Sequence, residues 1–146
     1  MNPFRNERLS PSMEATMATM EVAEKNFAAT VERGIVLLDF WAAWCGPCRA
    51  FAPVFEAAAL RHPDVVFGKV DTEAEPGLVA AFQIRAIPTL MVLRDGVLLA
   101  ARPGAIVAAA LDELVRKVKA LDMDEVRRNL DAQEPGAGKA NQQERA

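Results

Sequence analysis

Residues 35–48 read IVLLDFWAAWCGPC, a nearly continuous apolar run that leads into the two cysteines of the chain. A run of this kind over residues 35–42 is typical of a strand that is buried on both faces, as in the centre of a partly parallel sheet. Pro47 fits the first turn of a following helix, where its missing N–H leaves no hydrogen bond unmade. Asp39 is the exception within the strand, because a carboxyl group is costly to bury unless it is neutral or paired.

The two cysteines, Cys45 and Cys48, are separated by Gly46 and Pro47. A disulfide between them closes too short a loop to stabilise the fold much through chain entropy. A structural zinc site needs about four ligands, and besides the two thiols the chain offers one histidine, His62. Redox chemistry is therefore the leading interpretation. Two unrelated core cysteines, or metal binding by two such pairs in a dimer, are the alternatives.

Length, charge and hydropathy limit the class of protein. The chain has 146 residues and a formal net charge of −3, so we expect one main domain. We expect no nucleic-acid binding, since phosphate contacts need a basic surface. No stretch approaches the roughly 20 apolar residues of a membrane span, and the polar N-terminus lacks the apolar segment of a secretory signal. We expect a cytoplasmic monomer that binds no membrane; a mature exported protein whose signal has been removed is the alternative.

Hydrophobic periodicity and turn residues predict alternating strands and helices along the chain. Asp95-Gly96 is a strong signal for a two-residue hairpin turn. The βαβ part implies parallel strands with helices on their faces, and the hairpin adds antiparallel strands, so we expect an α/β fold with a mixed sheet. The predicted strands cover residues 19–22, 35–42, 65–70, 89–94 and 97–101, and the predicted helices cover residues 26–33, 46–62, 76–82 and 106–120. A helix is the alternative for the first strand, because the spacing of Met13, Met17 and Met20 also suits one.

The sequence predicts four segments along the chain. Residues 1–15 lack periodicity and are predicted to form a flexible leader. Residues 16–120 form the main domain, and residues 121–132 form an extra C-terminal helix. Residues 133–146 are polar with Pro and Gly, which is typical of a disordered tail.

The extra helix has a narrow apolar stripe of Met123, Val126 and Leu130, and Asp122 precedes it as a capping residue. Three apolar residues are too few to stabilise an isolated helix of this length in water. We therefore expect this helix to pack against the preceding helix; a partner or a second copy of the chain is the alternative.

Three short motifs carry a resemblance to a known family. WCGPC (residues 44–48) follows the apolar strand, and IPT (residues 87–89) and GA (residues 104–105) come later in the chain. Together they closely resemble thioredoxin, over residues 19–120. The resemblance implies the thioredoxin fold, a central mixed sheet of about five strands flanked by helices, here with the added C-terminal helix.

The resemblance implies four catalytic residues. Cys45 lies just before a helix N-terminus, which stabilises a thiolate, and is the attacking thiol. Cys48, one turn into the helix and more buried, resolves the mixed disulfide. Burial is expected to raise the pKa of Asp39, so that this carboxyl takes the proton of Cys48 and later returns it. Lys69 matches the lysine that lies near this aspartate in the family. The alternatives are a buried polar network around Asp39 and a solvent-facing charge for Lys69.

A substrate-binding surface is also implied. Pro88 matches the cis-proline of the family, which leaves the Ile87 backbone free to pair with an extended substrate segment. Gly104 and Ala105 match a loop where a side chain would block the approach of a substrate. The alternatives are a trans peptide bond before Pro88, a simple turn at residues 104–105, and core packing for Trp41 and Trp44. The full implied set is Trp44, Gly46, Pro47, Ile87, Pro88, Gly104 and Ala105.

Three residues depart from the pattern of the family. Pro103 stands where a branched apolar residue is common, Ala86 where many members have glycine, and Ala43 where glutamate is frequent. Pro103 also removes a hydrogen-bond donor from an expected edge strand. These departures leave the chemistry intact and bear on the choice of partner.

We therefore expect a thioredoxin-type reductase of protein disulfides. The Gly-Pro pair favours a reductant, because a histidine between the cysteines would stabilise the thiolate further and make the protein more oxidising. The Cys45–Cys48 disulfide is the expected redox group, without any cofactor or metal. No dinucleotide fingerprint is present, so a separate dithiol reductase such as thioredoxin reductase must supply the electrons. The alternatives are a binding or chaperone-like module and an oxidant of exported proteins.

Overall fold

Five strands form a single mixed sheet in the computed structural model, which describes residues 18–133. The predicted leader, and the predicted tail beyond residue 133, lie outside the described residues. The order across the sheet is β1-β3-β2-β4-β5, with β1, β3 and β2 parallel to one another and β4 and β5 antiparallel to their neighbours. The strands are β1 (Met20–Glu21), β2 (Ile35–Trp41), β3 (Val66–Asp71), β4 (Thr89–Arg94) and β5 (Val97–Pro103). The predicted mixed sheet is confirmed.

Five helices accompany these strands in the described residues: α1 (Glu24–Val31), α2 (Gly46–Arg61), α3 (Pro76–Ala81), α4 (Ala108–Ala120) and α5 (Met123–Gln133). Each predicted helix is present, with its ends displaced by a few residues at most. The differences are largest at α1, which covers residues 24–31 instead of 26–33, and at α4, which begins at Ala108 instead of residue 106 and leaves Val107 exposed. No helix within residues 18–133 has both the length and the apolar content that crossing a membrane requires.

The central strand β2 is covered on both faces, as its apolar sequence predicts. The side chains of Val36, Leu38 and Phe40 belong to one buried cluster. Because side chains alternate along a strand, Leu37 and Asp39 lie on the opposite face, and both are fully buried. Asp39 is therefore a carboxyl group in the core of the sheet.

The sheet topology brings three distant chain segments to one edge. The C-terminal end of β2 leads to the cysteine motif, and β4 runs antiparallel to β2, so the start of β4 lies at the same edge. β5 is antiparallel to β4, and its last residue, Pro103, is the register partner of Thr89 at the start of β4. Three chain segments next to strand ends therefore meet at that edge: residues 45–48, 87–88 and 104–105.

The Asp95-Gly96 dipeptide forms the predicted hairpin turn between β4 and β5. Both residues have positive φ, 53° and 81°, as a type I′ turn requires. The Asp95 side chain also accepts a hydrogen bond of 2.9 Å from the backbone N–H of Gly34, just before β2.

The described chain divides into two compact units, the first ending at Val115 and the second beginning at Arg116. The second unit contains the end of α4 and all of α5. The Asp122 side chain accepts hydrogen bonds from the backbone N–H groups of Asp124 (3.0 Å) and Glu125 (3.3 Å), so it caps α5 as predicted. Of the predicted apolar stripe, Met123 is 8% exposed, whereas Leu130 is 38% exposed.

A stop codon after Ala120 is expected to lower the free energy of unfolding by about 1 to 3 kcal/mol, because it removes the buried Met123 side chain and the partly buried Val126 side chain of α5. Disulfide reduction by the truncated protein at 25 °C should stay close to that of the full chain, since no predicted site residue lies beyond Ala105. Urea unfolding and an insulin-reduction assay measure the two quantities. A matched stop after Gln133 separates the contribution of α5 from that of the residues after it. Loss of activity in a folded truncated protein would contradict the prediction.

Within α5, the loss of stability caused by a single substitution should increase with the burial of the side chain that is replaced. Met123→Ala is expected to cost about 1 to 2 kcal/mol, and Leu130→Ala is expected to change stability by less than about 0.5 kcal/mol. Equal losses in the two variants would show that burial does not govern the stability of this helix.

Candidate functional site

The two cysteines lie at the N-terminal end of α2 and form a disulfide with each other. Cys45 is the N-cap residue, and the backbone N–H of Cys48 donates a hydrogen bond of 3.2 Å to the Cys45 sulfur. The unpaired N–H groups and the dipole of a helix N-terminus stabilise negative charge there. When the disulfide is reduced, this position therefore favours a thiolate on Cys45. The two residues differ little in burial, being 4% and 2% exposed.

The Ile87–Pro88 peptide bond is cis and lies against the disulfide. The Ile87 carbonyl oxygen is 3.8 Å from the sulfur of Cys45. The carbonyl oxygen of Pro88 accepts a hydrogen bond of 2.7 Å from the backbone N–H of Gly104. The structure thus brings together three of the segments that the sequence selected, although they are far apart along the chain.

Gly104 is required for its backbone conformation. Its φ of 93° is a value that residues with a side chain rarely adopt, whereas the space where a Cβ would lie is open. The next residue, Ala105, is exposed. Pro103 ends the edge strand β5, a place where a missing N–H is tolerated.

Trp44 and Trp41 have different environments. Trp44 is 67% exposed, and its indole N–H donates a hydrogen bond of 3.1 Å to the Glu73 side chain. It lines a surface cleft of about 280 Å³ together with Ile87 and Arg85. Trp41 is partly buried and packs against the cluster formed by Ala42 and the two cysteines. Core packing therefore describes Trp41 but not Trp44.

Asp39 lies in the middle of β2 with both carboxyl oxygens buried and without a hydrogen-bond partner among the described residues. Burial raises its pKa from 3.8 to about 7, while the positive charge of Lys69 lowers the pKa and the negative charge of Glu56 raises it. A carboxyl group with this pKa is present in both protonation states near neutral pH. It can therefore accept and release a proton. The alternative of a hydrogen-bonded polar network does not describe this group.

Lys69 is the register partner of Asp39 on the neighbouring strand β3. Its ammonium group donates a hydrogen bond of 3.0 Å to the Glu56 side chain and lies 5.0 Å from the centre of the Trp41 ring. Its side chain is partly buried, so the alternative of a solvent-facing charge is wrong. The sequence placed Lys69 near Asp39 correctly but did not identify its ion-pair partner.

Glu56 and Glu73 are the site residues that the sequence analysis missed. Glu56 follows Cys48 by eight residues on α2, about 2.2 turns, so the two residues lie within about 80° of each other around the helix axis. That spacing is a signal that could have identified Glu56. Glu73 has no comparable signal, because its contact depends on the orientation of the Trp44 ring. Among residues 18–133, no cluster of three or more His, Cys, Asp or Glu residues is arranged to hold a metal ion.

Comparison with known proteins gives one consistent family. The model of the Thioredoxin family matches residues 18–120. The chain is 52% identical over 122 residues to the Streptomyces coelicolor protein "Putative thioredoxin 2", covering 83% of this chain and 91% of that protein. It is 43% identical over 75 residues to "Thioredoxin" of Chlamydia trachomatis (51% of this chain, 74% of the relative). It is 41% identical over 83 residues to "Thioredoxin" of Staphylococcus aureus (55% and 78%).

The buried Asp39 carboxyl predicts a specific dependence of stability on pH. A folded-state pKa of about 7 against 3.8 means that the folded protein binds more protons than the unfolded chain between these values, so stability falls as pH rises through this window. At 1.36 kcal/mol per pKa unit the loss is about 4 kcal/mol. Asp39→Asn cannot ionise, so relative to the wild type it should gain about that much between pH 4 and pH 8. Urea unfolding of the oxidised proteins measures the difference.

Asp112→Asn provides a control of opposite sign. Hydrogen bonds first from His62 and then from Arg61 hold the pKa of Asp112 below its usual range. Its carboxylate therefore adds stability above the unfolded-state pKa, and this stability is lost only as pH falls through the folded-state pKa, so the stability difference between wild type and Asp112→Asn should stay nearly constant from pH 4 to pH 8 and change below that range. A stability difference between wild type and Asp39→Asn that stays constant from pH 4 to pH 8 would contradict the prediction for Asp39.

Proposed function

This chain belongs to the thioredoxin family and is a thiol–disulfide oxidoreductase that reduces protein disulfides, and on that basis we propose which residues carry out each step. The observation that carries the proposal is the Cys45–Cys48 disulfide at the N-terminus of α2, against the cis Ile87–Pro88 bond. This arrangement places an exchangeable dithiol at a helix end that stabilises a thiolate, next to a backbone segment with which a substrate can pair.

In the first step, the Cys45 thiolate of the reduced protein attacks one sulfur of a substrate disulfide. A bond forms between Cys45 and that sulfur, the substrate disulfide breaks, and the other substrate sulfur leaves as a thiolate. The N-cap position of Cys45, toward which the Cys48 N–H points, supports its role as the attacking thiol.

In the second step, Cys48 resolves the mixed disulfide. The Asp39 carboxylate takes the proton of the Cys48 thiol, and the resulting thiolate attacks the Cys45 sulfur. The Cys45–Cys48 bond forms, the remaining substrate sulfur leaves as a thiolate, and two electrons have passed to the substrate. The pKa of Asp39, raised by burial to about 7, supports this role.

The substrate disulfide approaches the surface formed by Trp44, the Ile87–Pro88 bond and the Gly104-Ala105 segment. An extended substrate segment pairs with the backbone at Ile87, in the manner of an added strand. The exposed Trp44 ring provides apolar contact. Gly46 and Pro47, the first two residues of α2, complete the surface beside the disulfide.

The protein acts as a cytoplasmic, monomeric reductant. The Gly-Pro pair between the cysteines supports this direction. A separate dithiol reductase, such as thioredoxin reductase, returns the disulfide to the dithiol, and no further cofactor, nucleic acid or membrane takes part. Residues 16–120 form the thioredoxin-like domain, and residues 121–132 form an added helix that the chemistry does not use.

The cysteine roles are tested by insulin reduction with wild type, Cys45→Ser and Cys48→Ser. Cys45→Ser should reduce insulin at least about 100-fold more slowly, because it removes the nucleophile. Cys48→Ser should accumulate a covalent mixed disulfide with the substrate, visible as a mass increase that dithiothreitol reverses. Circular dichroism confirms that each variant is folded. Equal rates for wild type and Cys45→Ser would overturn the assignment of Cys45, and a partner complex that survives loss of both cysteines would favour a binding module.

The direction of electron flow is tested by the reduction potential. Equilibration with a dithiothreitol buffer should give a value near that typical of thioredoxins, about −270 mV. A value near −120 mV, typical of a strong periplasmic oxidant, would instead support an oxidant of exported proteins.

A further inference from the structure

The ion pair between Glu56 and Lys69 lies beside the proton-exchanging carboxyl but does not include it. The Lys69 ammonium group donates to Glu56 at 3.0 Å and lies over the Trp41 ring. Within residues 18–133, the Asp39 oxygens have no hydrogen-bond partner, although Lys69 is the register partner of Asp39. Lys69, the basic residue of the neighbouring strand β3, is therefore paired with Glu56 and not with Asp39.

The charges that act on Asp39 oppose each other. Lys69 favours the ionised carboxyl and Glu56 disfavours it. On the other neighbouring strand, β4, the register partner is the apolar Leu90, and the disulfide-bonded cysteines do not titrate. Both members of the Glu56–Lys69 pair are largely buried, so water screens them less than it would screen a surface pair.

We propose that Glu56 is a positioning residue of the redox site: by binding Lys69 over the Trp41 ring, it prevents an ion pair between Lys69 and Asp39 and leaves the Asp39 carboxyl free to exchange its proton. This rests on the proposed function, in which Asp39 takes the proton of Cys48. An Asp39–Lys69 ion pair would hold the carboxyl ionised and weaken it as a base. Glu56 thus acts on the carboxyl group through Lys69.

Glu56→Gln tests the arrangement, because it removes the charge while keeping the shape of the side chain. The pKa of Asp39, followed by carbon-13 NMR of its carboxyl group in the oxidised full-length chain, should fall by roughly one unit. Glu56→Asp keeps the charge and should restore most of the wild-type value. Glu32→Gln, on the surface beside Arg33, is the matched control and should leave the pKa of Asp39 unchanged. If the pKa of Asp39 does not fall in Glu56→Gln, the proposal is overturned.

A second pair of variants separates positioning from direct repulsion. If Glu56 acts by holding Lys69, most of the effect of Glu56→Gln on Asp39 should vanish when Lys69 is replaced by Met. The same fall with and without Lys69 would show that Glu56 acts on Asp39 by its own charge, and would overturn the positioning role. If Glu56→Gln does not fold, Glu56→Ala provides the neutral side chain for the same comparison.

The NMR titration of Asp39 does not depend on catalytic turnover. If Asp39→Asn reduces insulin as fast as the wild type, the proposed role of Asp39 in catalysis fails, but the NMR titration still decides whether Glu56 controls the carboxyl. In the active protein, the pH midpoint of insulin reduction should shift downward in Glu56→Gln together with the Asp39 titration. If the pKa of Asp39 shifts but the pH midpoint of insulin reduction does not, Glu56 affects only the resting protein, and its proposed part in the reaction is overturned.

Discussion

The burial of one carboxyl group in the central strand is the constraint on which the proposed chemistry of the site depends. Asp39 is fully buried in β2, and no hydrogen bond from the described part of the chain offsets its loss of hydration. A packed apolar side chain would stabilise this position more. Burial gives this carboxyl group a pKa of about 7, which suits the proton exchange proposed for Asp39 near neutral pH.

The sheet order explains why the parts of the site meet. β2 delivers the cysteine motif, β4 begins just after the cis-proline, and β5 ends just before Gly104. Because β4 is antiparallel to both of its neighbours, these three chain positions share one edge of the sheet. The hydrogen bond from Gly104 to Pro88 ties two of them together, and the Ile87 carbonyl beside the Cys45 sulfur brings in the third.

Much of the fold was predictable because its signals are local. Asp95-Gly96 sets a turn through its own backbone preference, Asp122 caps the helix that follows it, and the apolar run of β2 requires a buried central strand. The start of α4 was less predictable. Apolar residues before Ala108 extend the helical pattern in the sequence, but Val107 lies outside the helix and is exposed.

By itself, the sequence determined the reactive dithiol, the helix that follows it and the presence of an unusual carboxyl in a buried strand. These features follow from residue types and spacings within one stretch of chain. Only the tertiary structure decided that Lys69 pairs with Glu56 instead of Asp39, and that Glu73 holds the Trp44 ring. Such contacts join side chains on different elements. They depend on strand register, on helix placement and on the rotamers that packing allows, and a pattern along the chain contains none of these.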